Sequence, residues 1–472
     1  MTKLTPEILE RLKDALGPGG YLDDPTDMES YTVDARELYH GSTPIVLRPA
    51  TTREVAAVVR ICADVGIPIT PQGGNTGYCG GGTPDETGEQ VVLSLSRMNQ
   101  IRQVDALNYT LTAEAGCVLT TIQDAAEEAD RLFPLSLGAE GSCQIGGNLS
   151  TNAGGVAVLR YGNTRDLVLG LEVVLPDGSI WNSLRRLRKD NTGYDLKHLF
   201  LGAEGTLGIV TAVVLKLFPR PRDLVTSFVA LPNADAALKL LSRMRAATSD
   251  GVTSFEYIHR KCIDLVLMYI EDTSDPFDEV HTHYALIEFS AGREDSGLGG
   301  TVEAALGEAF EAEEISNAVI ATSGPQAASL WRLRETIPEA QKLAGAGLKH
   351  DISVPLTSVP TFLEQATIVV EEMIPGVRVI PFGHMGDGNI HFNLSRPEGD
   401  DGANMMAMAH DLEVAVHDLA VELDGSFSAE HGIGKLKRDE LARYKSDVEF
   451  DLMQRVKSAL DPNGMMNPGK IL

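Results

Sequence analysis

The spacing of apolar and polar residues predicts alternating strands and helices through the first 220 residues. It predicts a strand, a helix that begins near Thr51 and ends near Gly66, and a second strand in TPIVLRPATTREVAAVVRICADVGIPIT. Alternation predicts further strands in VVLSLSRM, YTLTAEAGCVL and GTLGIVTAVVLKLFP, and a helix over about 120–130. A hairpin with an Asp-Gly turn is predicted for LVLGLEVVLPDGSIW.

The pattern changes after about residue 223, where β-type runs alternate with longer helical runs. Strands are predicted at VTSFVAL, SFEYI and YALIEF, and a helix at ADAALKLLSRMRAA. A helical section over 302–345, helices at 357–373 and 404–423, and two strands in VRVIPFGHMGDGNIHFNLS complete the prediction. The chain is therefore predicted to be an α+β protein with more than one domain.

The composition is that of a folded globular protein, with 43% apolar and 23% charged residues. The formal net charge of −27 argues against binding to nucleic acid or to an anionic membrane surface. An anionic substrate would therefore need local positive charge. The five cysteines contain no C-x-x-C pair, so we expect neither an iron–sulfur cluster nor a disulfide framework.

The N-terminal stretch MTKLTPEILERLKDALG predicts an amphipathic helix rather than a signal or transit peptide. No apolar run reaches the roughly 18 residues that would cross a bilayer. We therefore expect a cytoplasmic protein without a transmembrane segment.

Glycine is concentrated in three separate segments at 71–77, 138–168 and 202–208. Turns need one or two glycines each, so an extended ligand groove explains these segments better than turns do. The first segment, PQGGNTG, follows a predicted strand and can present backbone N–H groups to a diphosphate, although a tight structural loop remains an alternative. It has neither the P-loop nor the Rossmann spacing.

Histidines form a second pattern near the C-terminal end. His384 and His391 flank a Gly-Asp-Gly-Asn turn, and a hairpin there would bring them together, with Asn393 on the same strand face as His391. Glu430 and His431 follow in SAEHGIG. Two imidazoles and a carboxylate form a familiar ligand set for zinc or manganese.

The three glycine-rich segments together resemble the flavin-binding domain of the vanillyl-alcohol oxidase type. From about residue 40 to the C-terminal NPGKIL, the chain resembles the FAD-linked oxidase group with D-lactate, glycolate and D-2-hydroxyglutarate dehydrogenases. The resemblance implies an FAD-binding domain of two α+β subdomains at 1–220, an α+β substrate-binding cap domain at 221–424, and a short C-terminal helical segment at 425–472 that returns to the flavin site.

The resemblance also implies roles for individual residues. The implied FAD-binding residues are Pro71, Gly73, Gly74, Asn75, Thr76, Gly77, Ser142, Gly146, Asn148, Thr151, Gly154, Gly155, Gly205 and Ile209. Some relatives tether flavin through a histidine in the first loop, and this loop has Asn75 instead, so we expect non-covalent FAD. The implied metal ligands are His384, His391 and Glu430.

The expected reaction is oxidation of a D-2-hydroxy acid to the 2-oxo acid, with His431 as general base and substrate ligand. Arg334 and Lys349 would bind the substrate carboxylate, and Asn393 would hold an oxygen. The family has a hydroxyl side chain four residues after the arginine, where this chain has Pro338. The substrate could therefore be D-2-hydroxyglutarate, D-lactate, D-malate or glycolate.

Reduced flavin needs an electron acceptor, and the chain has neither an NAD motif nor cluster cysteines. We expect an electron-transfer flavoprotein, a quinone or a cytochrome, and a homodimeric enzyme. The alternatives are an oxidase that uses oxygen, a non-catalytic flavin-binding subunit of a larger complex, and a metal-dependent hydrolase.

Overall fold

The computed structural model describes residues 4–472, which form two compact units. The first unit combines the residues up to Gly154 with Gly162–Arg220 and Glu430–Leu472. The second unit combines Gly155–Tyr161 with Pro221–Ala429. The first three residues of the predicted first domain and of the predicted N-terminal helix lie outside the described residues.

The first unit contains a small sheet whose strands lie in the order Tyr21–Leu22, Val46–Leu47, Val91–Ser94 and Ile69–Gln72. The last two strands are parallel to each other, which requires a crossover between them. Helix Thr52–Val65 packs its apolar face into the core of this sheet. Its N-terminus is capped by the Thr51 hydroxyl, and Gly66 ends it in the left-handed conformation with φ of 72°, as the sequence predicted.

The first unit also contains an antiparallel five-stranded sheet. Its strands lie in the order Ile101–Asp105, Thr110–Glu114, Ile209–Lys216, Val168–Val174 and Ile180–Ser183. The last two strands pair antiparallel as the hairpin that the Asp-Gly turn predicted. The other elements of this unit are Pro6–Leu16, Pro25–Thr32, Leu119–Glu128, Arg131–Leu132, Ile145–Thr151, Thr164–Leu167, Lys197–Phe200, Phe218–Pro219, Arg438–Tyr444 and Asp447–Leu460.

The second unit is built on one antiparallel sheet with helices on both faces. Its strands lie in the order Asn317–Ile320, Asp223–Leu231, His283–Ala291, Val252–His259, Arg378–Gly383, Asn389–Ser395 and Gly347–Leu348, and Asp351–Ser353 also pairs with Asn389–Ser395. The helices are Val158–Tyr161, Ala234–Ala247, Arg260–Tyr269, Leu298–Glu311, Gly324–Glu335, Ile337–Leu343, Leu356–Ser358, Val359–Met373, Met385–Asp387, Ala403–Ala407 and Ala409–Glu422.

Alternation along the central strands explains why both faces are covered. In Asp223–Leu231, Val229 joins one apolar cluster and Phe228 joins the other. A strand buried on both faces shows a continuous apolar run, as VTSFVAL nearly does.

The structure differs from the predicted elements at four places. Strand Asn317–Ile320 interrupts the predicted helical section 302–345, because four residues are too few to show a period. Helix Ile145–Thr151 lies inside the glycine-rich segment that was expected to be a loop. The predicted helix 404–423 is divided at Met408. The short C-terminal helical segment implied for 425–472 consists of two separate helices, Arg438–Tyr444 and Asp447–Leu460.

Among residues 4–472, no helix combines the length and apolar character that crossing a bilayer requires.

Candidate flavin and substrate sites

A groove in the first unit is formed largely by the glycine-rich segments. Of the predicted FAD-binding residues, the groove is lined by Pro71, Gly73, Gly74, Asn75, Thr76, Gly77, Gly146, Asn148, Thr151, Gly205 and Ile209. His431 also lines it.

The first glycine-rich loop begins where strand Ile69–Gln72 ends, and it is shaped by close backbone packing. A Cβ atom on Gly74 would lie 2.3 Å from the carbonyl oxygen of Ser142, so only glycine fits there. Asn75 has a left-handed φ of 54°. Its amide donates to the carbonyl oxygens of Ser30 and Val33, at 3.2 and 2.7 Å. The side chain of Asn75 therefore fixes the loop beside the groove.

Helix Ile145–Thr151 brings polar groups to the groove. Gly146 packs closely on Ala115, since a Cβ atom there would lie 2.9 Å from its carbonyl oxygen. Gln144 Oε1 and Asn148 Oδ1 are buried, and no described residue hydrogen-bonds to them. Buried acceptors normally have a donor, so a bound ligand with hydroxyl or N–H groups would satisfy them. Backbone access and polar groups both fit FAD.

Three predicted FAD-binding residues do not line the groove. Ser142 supports Gly74 through its backbone, and its hydroxyl donates to the Ala139 carbonyl oxygen at 3.4 Å. Gly154 lies outside the lining, and Gly155 belongs to the second unit. The lining of the groove therefore does not support an FAD-binding role for these three residues.

The loop that carries His431 is anchored within the first unit. The rings of His431 and Tyr78 meet edge to face, with their centroids 4.9 Å apart. The Cys79 carbonyl oxygen accepts from the backbone N–H of Lys435 at 2.8 Å. The segment that follows the first glycine-rich loop therefore supports the loop that carries the predicted base.

Replacement of Gly74 by alanine should weaken FAD binding about tenfold or more, because overpacking against backbone costs roughly 1–3 kcal/mol and would displace the loop. Flavin content per protein, read from the absorbance of the purified variant, checks this. Gly141→Ala is the matched control, since its Cβ would have nothing within 4 Å. Equal flavin content in the two variants would contradict the packing argument.

In the second unit, the predicted hairpin brings His384 and His391 together. Strands Arg378–Gly383 and Asn389–Ser395 pair so that Phe382 lies opposite His391, and His384 follows directly after the first strand. The two imidazole centroids are 5.5 Å apart. A short helical turn at Met385–Asp387 lies within the connection between the two strands.

Glu256 joins two of the predicted site residues. Its Oε1 atom lies 2.6 Å from His384 Nδ1, and its Oε2 atom accepts from Arg334 Nε at 2.7 Å. The carboxylate is fully buried. Burial alone would raise its pKa, but His384 and Arg334 together lower the pKa of Glu256 to about 2. Sequence reasoning missed Glu256, which lies in an ordinary strand run.

Arg334 lies in the last turn of helix Gly324–Glu335 and is only 6% exposed. Its guanidinium group stacks over the Phe382 ring, 4.7 Å from the centroid. No acceptor among the described residues is hydrogen-bonded to its Nη atoms. Arg334 is thus held through Nε, and its forked end remains available for a carboxylate.

The remaining predicted substrate residues lie in different surroundings. Lys349 is exposed, directly after strand Gly347–Leu348. Asn393 is buried, its Oδ1 accepts from the backbone N–H of His350 at 3.2 Å, and its Nδ2 donates to Gln341 at 2.8 Å. Only the second hydrogen of the Asn393 amide is left for a substrate oxygen.

Acidic groups surround the second histidine and the turn. Asp351 Oδ1 lies 3.8 Å from His391 Nδ1 and accepts from Asn389 Nδ2 at 3.0 Å. Burial raises the pKa of Asp387 to about 6, although nearby His384 opposes the shift. Asp351 was not predicted, but its position two residues after Lys349 could have marked it.

Comparison with known proteins decides the family. The family model described as "FAD linked oxidases, C-terminal domain" matches residues 220–471, and the one described as "FAD binding domain" matches residues 43–183. The chain belongs to the FAD-linked oxidase family. It is therefore an FAD-dependent oxidoreductase rather than a metal-dependent hydrolase or a non-catalytic subunit.

Relatives in this family match the whole chain. The mitochondrial D-2-hydroxyglutarate dehydrogenase of Danio rerio is 37% identical over 471 residues, covering 100% of this chain and 86% of the relative. The D-2-hydroxyglutarate dehydrogenase of Xanthomonas citri pv. viticola is 37% identical over 448 residues, covering 95% of this chain and 93% of the relative.

The fold is also shared with a solved structure. p-Cresol methylhydroxylase with substrate bound has a TM-score of 0.77 at 16% identity, covering 98% of this chain and 96% of that chain. The predicted vanillyl-alcohol-oxidase-type α+β fold and the predicted FAD cofactor are thus confirmed for this member of the FAD-linked oxidase family.

Proposed function

We propose that this oxidoreductase oxidises a D-2-hydroxy acid to the 2-oxo acid, with D-2-hydroxyglutarate as the first candidate. The proposal rests on one buried group, in which the Glu256 carboxylate is hydrogen-bonded to both Arg334 and His384. Such a group fixes a cation and an imidazole side by side, as recognition of a carboxylate and an adjacent hydroxyl requires. The names of the full-length relatives support the same substrate class.

Arg334 would bind a substrate carboxylate through its Nη atoms. Because its Nε is already held by Glu256, the guanidinium group is oriented before the substrate arrives, which lowers the entropic cost of binding. Lys349 and Asn393 are proposed as further contacts to substrate oxygens. These local cations offset the formal net charge of −27 for an anionic substrate.

His431 is proposed as the general base that takes the proton from the substrate hydroxyl. It lines the flavin groove, and an imidazole titrates near neutral pH. Bound FAD supplies the acceptor for the hydride that leaves C2 of the substrate. The groove residues hold that cofactor, and Tyr78 packs its ring against His431 to limit the directions the imidazole can take.

A divalent metal, zinc or manganese, is proposed to be held by His384, His391 and Glu430. The donor chemistry of His384 fits, because a metal-binding histidine usually donates its other ring N–H to a carboxylate, as Nδ1 does to Glu256. When bound, the metal would lower the pKa of the substrate hydroxyl. Glu430 is proposed from the sequence pattern and the family resemblance, and Asp351 beside His391 is a further candidate ligand.

Removal of the metal should abolish turnover and leave the flavin bound, because the proposed ligands and the flavin groove use different residues. Dialysis against a chelator, followed by addition of zinc or manganese, checks this through the rate of flavin reduction. His384→Ala should behave like the chelated enzyme and should not be rescued by added metal. Undiminished turnover after complete metal removal would contradict the proposed metal.

The substrate is tested by anaerobic bleaching of the flavin with D-2-hydroxyglutarate, D-lactate, D-malate and glycolate. Pro338 stands where the family has a hydroxyl, and it fits the first turn of helix Ile337–Leu343. A missing donor should weaken binding of the acid that uses it, so Pro338→Ser should raise the affinity for a dicarboxylic acid. No bleaching by any of the four acids would refute the substrate class.

We propose that electrons pass from the flavin to an electron-transfer flavoprotein, a quinone or a cytochrome. The alternative is direct oxidation by oxygen, as in a glycolate oxidase. The rates of reoxidation of substrate-reduced enzyme by air, by a soluble quinone and by a recombinant electron-transfer flavoprotein distinguish these acceptors.

A homodimeric state and a cytoplasmic location also remain proposals. Light scattering of the purified protein tests the first. Cell fractionation tests the second, and it is needed because relatives from eukaryotes carry the word mitochondrial in their names.

A further inference from the structure

Glu204 occupies an unusual position in the wall of the flavin groove. It lies in the third glycine-rich segment with a left-handed φ of 49°, and it is 8% exposed. A non-glycine residue in this conformation is uncommon and persists where the surrounding structure fixes it. The side chain of Glu204 faces the loop that follows His431.

The carboxylate of Glu204 holds that loop through two hydrogen bonds. Oε1 accepts from the backbone N–H of Ile433, and Oε2 accepts from that of Gly434, both at 2.8 Å. Gly432 lies so close that a Cβ atom there would be 2.8 Å from Oε1. The two hydrogen bonds are made two and three residues after His431, so they hold the backbone segment next to the imidazole.

The backbone of Glu204 is itself fixed by two other segments. Its N–H donates to the Ser150 carbonyl oxygen at 2.8 Å, and its carbonyl oxygen accepts from Asn467 Nδ2 at 2.7 Å. Ser150 belongs to the helix that lines the flavin groove. Glu204 therefore connects the groove wall, the C-terminal residues and the His431 loop.

We propose that Glu204 is a positioning residue, which sets the His431 imidazole relative to the flavin groove. This inference rests on the proposed role of His431 as the general base. Burial raises the pKa of Glu204, and the two N–H donors oppose that shift. A carboxylate with two equivalent acceptor oxygens suits the two parallel N–H groups.

The substitution Glu204→Gln tests the inference, since glutamine has one acceptor oxygen and would place N–H donors against a backbone N–H. We expect the flavin to remain bound and its anaerobic reduction by D-2-hydroxyglutarate to slow roughly 10- to 100-fold. Glu172→Gln is the matched control. Glu172 is a buried glutamate of the same unit whose partners, including Thr52 and Asn182, lie outside the groove lining. The Glu172→Gln variant should be less thermally stable than the native enzyme, and its flavin should be reduced at the native rate.

A double-mutant cycle separates positioning from a general structural effect. If Glu204 acts through His431, adding Glu204→Gln to His431→Ala should slow reduction less than twofold further. An equal additional loss in both backgrounds would overturn the inference. If Glu204→Gln is purified without flavin, the cycle is run with Glu204→Asp, which keeps the carboxylate and is one methylene shorter.

The cycle also distinguishes this inference from the proposed function. If His431→Ala slows reduction and Glu204→Gln does not, the base is supported and the positioning role is refuted. If His431→Ala reduces at the native rate, the proposed base fails, and the role of Glu204 fails with it.

Discussion

His431→Ala should retain FAD and should slow its anaerobic reduction by a D-2-hydroxy acid by roughly 10²- to 10⁴-fold, the range for loss of a general base. The imidazole lines the flavin groove beside Tyr78, and the loop after it is held by Glu204. The measurement is stopped-flow absorbance of the flavin after mixing with substrate. Removal of the imidazole removes the proton acceptor and leaves the other residues that line the groove unchanged.

The control for this variant is His198→Ala. His198 is an exposed histidine of the same unit that pairs with Asp195 and does not line the groove. In the His198→Ala variant the flavin should be reduced by substrate at the native rate. A native rate in His431→Ala, or an equal loss in both variants, would remove His431 as the base.

Arg334→Ala should cause the second large effect, a fall in kcat/KM of about 10²- to 10⁴-fold that appears mainly in KM. A bidentate hydrogen bond from arginine to a carboxylate involves two charge-assisted contacts, each contributing roughly 1.5–3 kcal/mol. The variant also leaves Glu256 buried with one partner fewer, so the free energy of unfolding should fall by about 3–5 kcal/mol. Steady-state kinetics and chemical denaturation measure the two effects.

Arg334→Lys separates substrate binding from stability. Lysine keeps a positive charge near Glu256 and lacks the planar fork. We therefore expect the stability of Arg334→Lys to recover largely, while its KM stays high. Recovery of both quantities would show that charge alone is sufficient, and an unchanged KM in Arg334→Ala would exclude Arg334 as a substrate ligand.

Local patterns in the sequence were enough to predict most of the elements. Thr51 and Gly66 mark both ends of one helix because capping depends on residues within one turn. The Asp-Gly turn and the alternating runs beside it predicted a hairpin for the same reason. The strand at Asn317–Ile320 escaped prediction because its partner, Asp223–Leu231, is remote in sequence.

The candidate site was predictable only in part. The position of His384 beside His391 was predictable, because the two residues lie at the ends of an eight-residue segment that contains a single turn. Glu256 gave no signal, since the strand that carries it pairs with the His384 strand across 128 positions of sequence. Asn75 and Asn393 were predicted as ligand contacts, but most of their hydrogen-bonding groups have partners within the protein.

The sequence by itself indicated an FAD-binding protein through its glycine-rich segments and predicted a histidine cluster, because the conformational freedom of glycine and the chemistry of histidine are local properties. Only the tertiary structure decided which residues hold those groups in place. Glu256 and Glu204 are buried carboxylates whose partners come from distant segments, and burial of a charge is tolerated only when folding brings its partners together.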